Sequence, residues 1–366
     1  MLKQTRQAWL LGTALVMPVA LALVISATGC SGGSGATKAG GRVERQITLV
    51  IQTPDAPDAD VAYFIRQVEA RTDGRLRIVE GGDDYRSEDP DNEARLVHAL
   101  LDGSEDMAYI PSRAWERASD VRSFRALQAP FLITDYAVLR RIATGSIGQS
   151  MLESLGRIDI LGLGLVPNEL RRPLARMPLI SAAAFRGARI RVVTSPASVI
   201  ALRALAAVPL TRFTSAEVGP ALQAGVLDGV ESSMSSIEEN DYTRYARYLP
   251  SNLALFAKTQ TIAIRRPTFD SLNARDRDAL RAAAAATVAH ADPAAHERGE
   301  VRRVCKKGLR LVAVSARALA SLRKAASAAY AEVERDASTG REIAAITRIK
   351  TQMAASATSL GACRGR

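Results

Sequence analysis

The chain has 366 residues, of which 47% are hydrophobic, 24% charged and 5% aromatic. These fractions are typical of a globular protein and exclude a chain that is disordered over most of its length. Lysine and arginine total 49 against 38 acidic residues, so the formal net charge is +11. Three histidines and three cysteines, none of them paired at metal-ligand spacing, argue against a metal site and against a cysteine–histidine catalytic pair.

The N-terminus has the layout of a secretory signal. Two basic residues and no acid precede an uncharged apolar run from Ala8 to Ala27, and small residues lead up to Cys30. This segment is similar to a bacterial lipoprotein signal, in which the cysteine becomes the lipidated first residue of the mature protein. The run is also long enough to span a bilayer as an uncleaved anchor. In both cases we expect an extracytoplasmic body held at the outer surface of the membrane.

A flexible tether follows the predicted lipoprotein signal peptide of residues 1–29. Residues 30–42 are rich in glycine and serine, a composition that behaves as a flexible linker. The basic excess belongs to the body, where arginine is spread among acidic residues and forms no basic stripe with interleaved aromatic residues. We therefore expect no nucleic-acid partner.

The remaining cysteines predict a cross-link. After removal of the signal, Cys305 and Cys363 are the only thiols apart from the lipidation site, and they form an even pair in an oxidising compartment. A disulfide between them would join the C-terminal tail to the body.

From Ile47 onwards, short β-rich runs alternate with segments of helical periodicity. Predicted strands cover residues 47–51, 76–79, 107–110, 158–165, 188–193 and 309–314. Predicted helices cover residues 59–71, 93–101, 139–155, 198–206, 216–224, an alanine-rich stretch from 270 to about 307, 316–335 and 341–355. Strands separated by helices predict an α/β fold with parallel sheets that are covered on both faces.

Catalytic motifs are not evident in the sequence. Gly162 and Gly164 lie in an apolar strand without the third glycine of a dinucleotide-binding loop, and no Gly-x-Ser-x-Gly motif occurs. The three histidines lie in charged helical segments that suit surface positions. We therefore expect no enzyme activity, no cofactor and no metal, which leaves a ligand-binding protein.

A set of short sequence segments indicates which family of ligand-binding proteins the chain resembles. Residues 185–193 (FRGARIRVV), 206–209 (AAVP) and 221–229 (ALQAGVLDG) occur in this order, and residues 72–75 (TDGR) and 129–132 (APFL) precede them. The ordered set resembles the core signature of the solute-binding proteins of tripartite ATP-independent periplasmic (TRAP) transporters. The likeness runs from about residue 47 to residue 351.

The resemblance implies a two-lobed, periplasmic-binding-protein-like (Venus flytrap) fold. Residues 43–168 with 258–297 would form lobe I, and residues 169–257 with 298–366 lobe II. Crossing strands and a long helix would join the lobes, which close on a small organic acid in the cleft between them. The protein, expected to be a monomer, would deliver this ligand to the membrane subunits of a TRAP permease. In an alternative function, it is a tethered sensor that presents the ligand to a membrane receptor without transport.

The resemblance also implies that Arg191 pairs with the ligand carboxylate. Its position supports the same role, because Arg191 ends a predicted strand and a guanidinium can bind a carboxylate through two parallel hydrogen bonds. Arg171 corresponds to a second arginine of the family's pocket, although the adjacent Arg172 could take its place. Phe213 matches an aromatic residue that lines this pocket.

The clearest departure from the family pattern follows Glu231. Ser232 stands where family members commonly have an asparagine that bonds the ligand. Together with the hydroxyls of Thr194 and Ser195, it suggests a hydroxyl-rich site. A dicarboxylate, a keto acid, a sugar acid and an aromatic acid all remain open as ligands.

Overall fold

The computed structural model describes residues 46–54, 58–86, 89–353 and 358–363. The predicted signal peptide and tether, with the predicted lipidation site Cys30, lie outside these residues. Within the described ranges, no helix combines the length and the apolar character that crossing a membrane requires.

Ten strands are present in the described residues. They are β1 (Ile47–Gln52), β2 (Leu76–Glu80), β3 (Met107–Pro111), β4 (Ile160–Ala175), β5 (Arg189–Arg191), β6 (Val208–Leu210), β7 (Gly229–Ser232), β8 (Tyr248–Pro250), β9 (Phe256–Arg265) and β10 (Arg310–Val312).

The described residues also contain fifteen α-helices and three short 3₁₀ helices. The α-helices are α1 (Ala59–Thr72), α2 (Asn92–Asp102), α3 (Ala114–Ala118), α4 (Tyr136–Ala143), α5 (Ser146–Ser154), α6 (Ala182–Phe185), α7 (Pro196–Ala204), α8 (Ser215–Gln223), α9 (Met234–Glu239), α10 (Arg266–Ser271), α11 (Ala274–His290), α12 (Pro293–Lys306), α13 (Ala316–Ala325), α14 (Ser327–Val333) and α15 (Ala337–Gln352). The 3₁₀ helices are Ser123–Gln128, Leu155–Ile158 and Tyr242–Arg244.

Three segments predicted as single helices are interrupted in the structure. Residues 316–335 divide at Ala326, and local sequence signals mark a break in each of the other two. The segment 139–155 divides at Gly145, which is the N-cap of α5. The alanine-rich segment 270–307 divides at Asp292, whose side chain accepts a hydrogen bond from the Ala295 amide, and Pro293 then starts α12. An aspartate cap followed by proline at the first helical position is a strong helix start, and it interrupts the predicted alanine-rich helix.

The sheet is parallel at its outer parts and antiparallel in the middle. The strand order is β2-β1-β3-β9-β4-β7-β5-β6, with β8 beside β4 and β10 beside β8. β1 is parallel to β2 and β3, and β5 is parallel to β6 and β7. β9 is antiparallel to both β3 and β4, and β4 is antiparallel to β7. The expectation of purely parallel sheets is therefore wrong at the centre, where β4 and β9 run side by side.

The apolar residues form separate cores at the two ends of this central pair. The largest core contains Phe64 and Trp115 and takes Leu165 from β4. Two further cores lie in the other half: one takes Phe256 from β9 and one takes Leu174 from β4. The molecule therefore has the predicted two-lobed α/β fold, with β4 and β9 crossing between lobes.

The last helix packs on the lobe opposite to the one expected from the sequence. Ile343 and Ile346 of α15 are buried in the largest core, which belongs to the N-terminal lobe I, whereas Leu322 of α13 belongs to a core of lobe II. The chain thus returns to lobe I between these helices. The range 298–366 predicted for lobe II includes α15. That prediction followed the order of the chain, whereas the burial of Ile343 and Ile346 shows that α15 packs on lobe I.

The C-terminal tail touches both lobes. Cys305 and Cys363 form a disulfide with a Cα–Cα distance of 5.4 Å, within the ordinary range for such a bond. The Thr358 amide donates to the Thr134 carbonyl (2.7 Å) on the lobe I side. The Leu360 amide donates to the Ser251 carbonyl (2.9 Å) on the lobe II side.

Candidate functional site

A small polar cavity lies where the two lobes meet, with a volume of about 70 Å³. Residues from both lobes and from the crossing strands line it: Asp89, Pro90, Asn92, Glu93, Arg113, Arg171, Arg191, Val193, Thr194, Thr214, Ser215, Ser232, Ser236, Tyr242 and Lys258. Four of these side chains are cationic and two are acidic. The concentration of arginine at an interlobe cavity makes it the candidate ligand site.

Arg191 is the last residue of β5 and lines the cavity. Its Nε donates to the Phe213 carbonyl at 3.1 Å, and its terminal nitrogens have no hydrogen-bond partner within the described residues. Burial is the main factor that lowers the pKa of Arg191, and the positive charges of Arg171 and Arg113 lower it further. An arginine keeps its proton in spite of this, so the guanidinium presents donors to the cavity and an anion there would relieve the repulsion.

Arg171 also lines the cavity, but a carboxylate already holds one of its edges. Its side chain is 4% exposed and pairs through Nε with Glu231, which is fully buried. One of its terminal nitrogens donates to the Glu231 carbonyl at 3.1 Å. Burial, the largest single factor, would lower the pKa of Arg171, but Glu231 together with the more distant carboxylates of Glu169 and Glu93 outweighs burial and the pKa is raised. The pair fixes the guanidinium and leaves its remaining N–H groups for a ligand.

Arg172 points to the opposite face of β4, as adjacent residues of a strand do. Its Nε donates to Glu297 Oε1 at 3.0 Å and one terminal nitrogen donates to the Leu253 carbonyl at 3.1 Å. The side chain is completely buried. Between the two neighbouring arginines, the structure therefore places Arg171 in the cavity wall and gives Arg172 contacts that support the fold.

Sequence reasoning missed two cations of the cavity wall, Arg113 and Lys258. Arg113 follows the end of β3 by two residues and forms a two-point ion pair with Glu93 of α2, with distances of 3.1 and 2.5 Å. Lys258 lies in β9 and is 9% exposed. The position of Arg113 after a buried strand was a usable signal, because ligand groups collect at such strand ends. Lys258 had no comparable signal, since β9 itself was not predicted.

The predicted hydroxyl and aromatic residues fall in different places. Ser232 of β7 is 2% exposed and lines the cavity. Ser195 donates instead to Gln128 Oε1 (2.5 Å) and caps α7 by accepting from the Ser198 amide. The Phe213 carbonyl accepts the hydrogen bond from Arg191 Nε. The Phe213 ring lies under the Arg212 guanidinium, whose carbon is 4.4 Å from the ring centroid.

One hydrogen bond crosses the cavity from lobe to lobe. Thr194 Oγ1, just after β5, donates to the carbonyl of Pro90 at 2.9 Å, beside α2. Both residues belong to the cavity wall. The two lobes are therefore in contact over the site.

A larger cavity of about 540 Å³ adjoins the first and shares Ser215, Ser236 and Lys258 with it. Its wall is acidic and includes Asp60, Glu169 and Glu300. Burial, with help from nearby carboxylates, raises the pKa of Glu300 to about 8. The described residues contain no group of histidine, cysteine and acidic side chains arranged to hold a metal.

The sequence is similar to proteins of known class. Residues 53–336 match the family DctP, the bacterial extracellular solute-binding proteins, family 7. A C4-dicarboxylate-binding periplasmic protein of Rhodobacter capsulatus is 27% identical over 254 residues, which cover 68% of this chain and 73% of that protein. The corresponding protein of Shewanella loihica is 28% identical over 116 residues, 32% of this chain and only 34% of its own length.

Solved structures show the same fold. A TRAP periplasmic solute-binding protein of Chromohalobacter salexigens, with bound D-glucuronate, has a TM-score of 0.73 at 17% identity and covers 82% of this chain and 99% of its own. A protein of the same class from Shewanella oneidensis, with bound succinate, has a TM-score of 0.73 at 19% identity and covers 83% and 99%. The family match spans well over half of the sequence, and the chain belongs to the bacterial extracellular solute-binding protein family 7.

Proposed function

We propose that this protein captures a small organic acid in the arginine-lined cavity and delivers it to a TRAP-type membrane permease. It acts on the outer side of the cytoplasmic membrane as a monomer, anchored through lipidated Cys30. Family membership supports the solute-binding role, and the basic cavity supports a carboxylate as the group that is bound.

The convergence of three guanidinium groups carries the proposal. Arg113 and Arg171 are each neutralised by a glutamate, whereas Arg191 has no carboxylate partner within the described residues. The ligand carboxylate would supply this missing charge. A charge-assisted hydrogen bond contributes about 1.5–3 kcal/mol, and micromolar affinity needs about 8 kcal/mol. Binding therefore needs several of these donors together, with Ser232 and Lys258 as further contacts.

Capture requires the lobes to separate. A cavity of about 70 Å³ is several times smaller than the roughly 300 Å³ at which ligand pockets begin. An organic acid can enter only when the cavity opens, and the hydrogen bond from Thr194 to Pro90 is then broken. The ligand stabilises the closed form relative to the open form. The size of this stabilisation equals the difference between the binding free energies of the ligand for the two forms.

The lining favours an acid that also carries hydroxyl groups. Ser215, Ser232 and Thr214 border the cavity, and hydroxyls of the ligand can exchange hydrogen bonds with them. A ligand with a second carboxylate would extend it towards the adjoining cavity. There Glu169, in the acidic wall of that cavity, would repel it. A sugar acid or another hydroxy acid is therefore favoured over a C4 dicarboxylate.

Isothermal titration of the exported protein in mild detergent tests the proposal. Glucuronate, galactonate, erythronate and succinate form the panel, and each is titrated into wild type, Arg191→Ala and the control Arg203→Ala, which removes an exposed arginine of α7. We expect micromolar binding of at least one hydroxy acid, retained in the control and lost in Arg191→Ala. Unchanged binding in Arg191→Ala would reject the site.

Delivery to a permease is tested in cells. Deletion of the gene should abolish uptake of the acid that titration identifies, and wild-type protein should restore uptake while Arg191→Ala does not. Normal uptake in the deletion strain would instead support the tethered sensor. Loss of lipid labelling in Cys30→Ser tests the anchor.

A further inference from the structure

A third cavity, of about 530 Å³, lies in lobe I away from the candidate ligand site. Helices α5 and α15 form two of its walls, and the two short 3₁₀ helices Ser123–Gln128 and Leu155–Ile158 contribute the rest. Its lining is dominated by hydroxyl and guanidinium groups, which is unusual where two helices face one another, since such faces are ordinarily apolar.

Three arginines surround this cavity: Arg157, Arg341 and Arg348. All three are exposed, and none has an ion pair or a side-chain hydrogen bond within the described residues. Elsewhere, many arginines of this chain pair with a carboxylate, as Arg113 and Arg171 do. Three unpaired guanidinium groups around one cavity repel one another, and an anion would remove this repulsion.

Helix α5 adds uncharged donors on the same side. Ser146, Ser150 and Ser154 are spaced four residues apart and all line the cavity. Ser154 donates to the Met151 carbonyl, but the exposed hydroxyls of Ser146 and Ser150 have no partner within the described residues. The N-cap of this nine-residue helix is Gly145, which offers no side chain to the first amides. The positive end of the helix therefore adds to the field of the arginines.

The one acidic side chain in the wall does not cancel this charge at neutral pH. Burial, together with the nearby Asp336, raises the pKa of Glu342 to about 8, so its carboxyl is mostly protonated. Asp336 itself accepts from the Ser338 hydroxyl (2.6 Å) and the Thr339 amide (2.9 Å). The cavity thus combines three positive charges with neutral hydrogen-bond donors.

We propose that the cavity between α5 and α15 binds a phosphate ester. Guanidinium groups and helix-end amides together suit a tetrahedral phosphate anion with several acceptor oxygens better than a single carboxylate. The volume exceeds the need of inorganic phosphate and leaves room for an attached group. That group could belong to a soluble metabolite or to a phospholipid headgroup, and the two sources share the chemistry that the cavity recognises.

Calorimetric titration of the full chain at constant ionic strength tests this site. The probes are inorganic phosphate, glycerol 3-phosphate and monomeric dihexanoyl phosphatidylglycerol. We expect saturable binding of a phosphate ester that Arg341→Ala/Arg348→Ala weakens at least tenfold. The control Arg302→Ala/Arg317→Ala removes two exposed arginines outside the cavity and should change affinity less than twofold. Ser150→Asp, which places a negative charge at the cavity, should also abolish binding.

The relative affinities identify the source of the phosphate. Comparable affinity for the two esters assigns the site to a soluble ester, whereas at least tenfold tighter binding of the phosphatidylglycerol assigns it to a lipid headgroup. Absence of saturable binding with every probe overturns the proposal, as does an equal loss in the control pair. Binding of the organic acid should be unchanged in Arg341→Ala/Arg348→Ala, so this test is independent of the function proposed for the interlobe cavity.

Discussion

Removal of the Arg171 side chain should destabilise the protein far more than removal of an exposed arginine. In Arg171→Met, Glu231 would remain as a fully buried carboxylate, and its Oε2 already lacks a hydrogen-bond partner among the described residues. Breaking a buried ion pair from one side costs about 3–5 kcal/mol, because the remaining charge is uncompensated. The double variant Arg171→Met/Glu231→Gln removes this charge and should recover most of the loss.

Urea unfolding followed by circular dichroism measures the difference. With a denaturant dependence of about 3 kcal/mol per molar, the midpoint of Arg171→Met should fall by about 1–1.7 M. The midpoint of the double variant should lie close to that of wild type and of the control Arg203→Met. Titration should show that neither Arg171 variant binds the organic acid, because both lack the guanidinium.

Two results would refute this reasoning. Equal unfolding midpoints for Arg171→Met and the double variant would mean that the Glu231 carboxylate does not destabilise the fold when Arg171 is absent. Wild-type affinity of the double variant for the acid would mean that Arg171 supports the fold of the cavity wall without contacting the ligand.

Three further predictions concern stability and closure. Burial raises the pKa of Glu342 from 4.5 to about 8, so the folded state holds a proton that the unfolded state loses, and stability falls as pH rises through this window. Glu342→Gln should therefore be more stable than wild type by about 1–2 kcal/mol at pH 8 and equal to it near pH 4. Urea unfolding at both pH values measures this, and a stability difference between variant and wild type that does not vary with pH would contradict the prediction. Cys305→Ser/Cys363→Ser opens a link across 58 residues and should lower the free energy of unfolding by at most about 4 kcal/mol. An unfolding midpoint that reductant lowers in wild type but not in the double serine variant would support this, and an unchanged wild-type midpoint would oppose it. Thr194→Val removes the bond to Pro90 and should weaken acid binding about three- to tenfold through the closed state, whereas unaltered affinity would show that the bond contributes nothing to closure.

Much of the fold was predictable from hydrophobic periodicity, but the central strands were not. β9 has the sequence FAKTQTIAIR, in which polar residues interrupt the apolar pattern although every residue except the last is buried. β9 can contain Lys258 and Gln260 because it crosses the polar cleft between the lobes. It does not run through a uniformly apolar core. The antiparallel pairing of β9 depends on that crossing, which local patterns do not encode.

For the site, strand ends were the informative signal and side-chain chemistry alone was not. Arg191 was selected from the family resemblance, and its place at the end of a predicted strand supported that choice. The strand-end argument would also have found Arg113 after β3. Ser195 was selected for its hydroxyl, yet Pro196 follows it at the first position of α7, which is the signature of a helix cap. The direction of Arg171 and Arg172 could not be decided from sequence, because it depends on which face of β4 meets the cleft.

The crossing pair of β4 and β9 restricts how the lobes can move. Both strands are continuous between lobes and hydrogen-bonded to each other, and the tail residues Thr358 and Leu360 add a third connection. The regular pairing of β4 with β9 is interrupted between Pro167 and Leu170, directly before Arg171. A twisted two-stranded ribbon bends most easily at such an irregularity. In the proposed opening, the lobes would rotate about one axis, and the ribbon would convert a small local bend beside Arg171 into a larger displacement at the rim of the cleft.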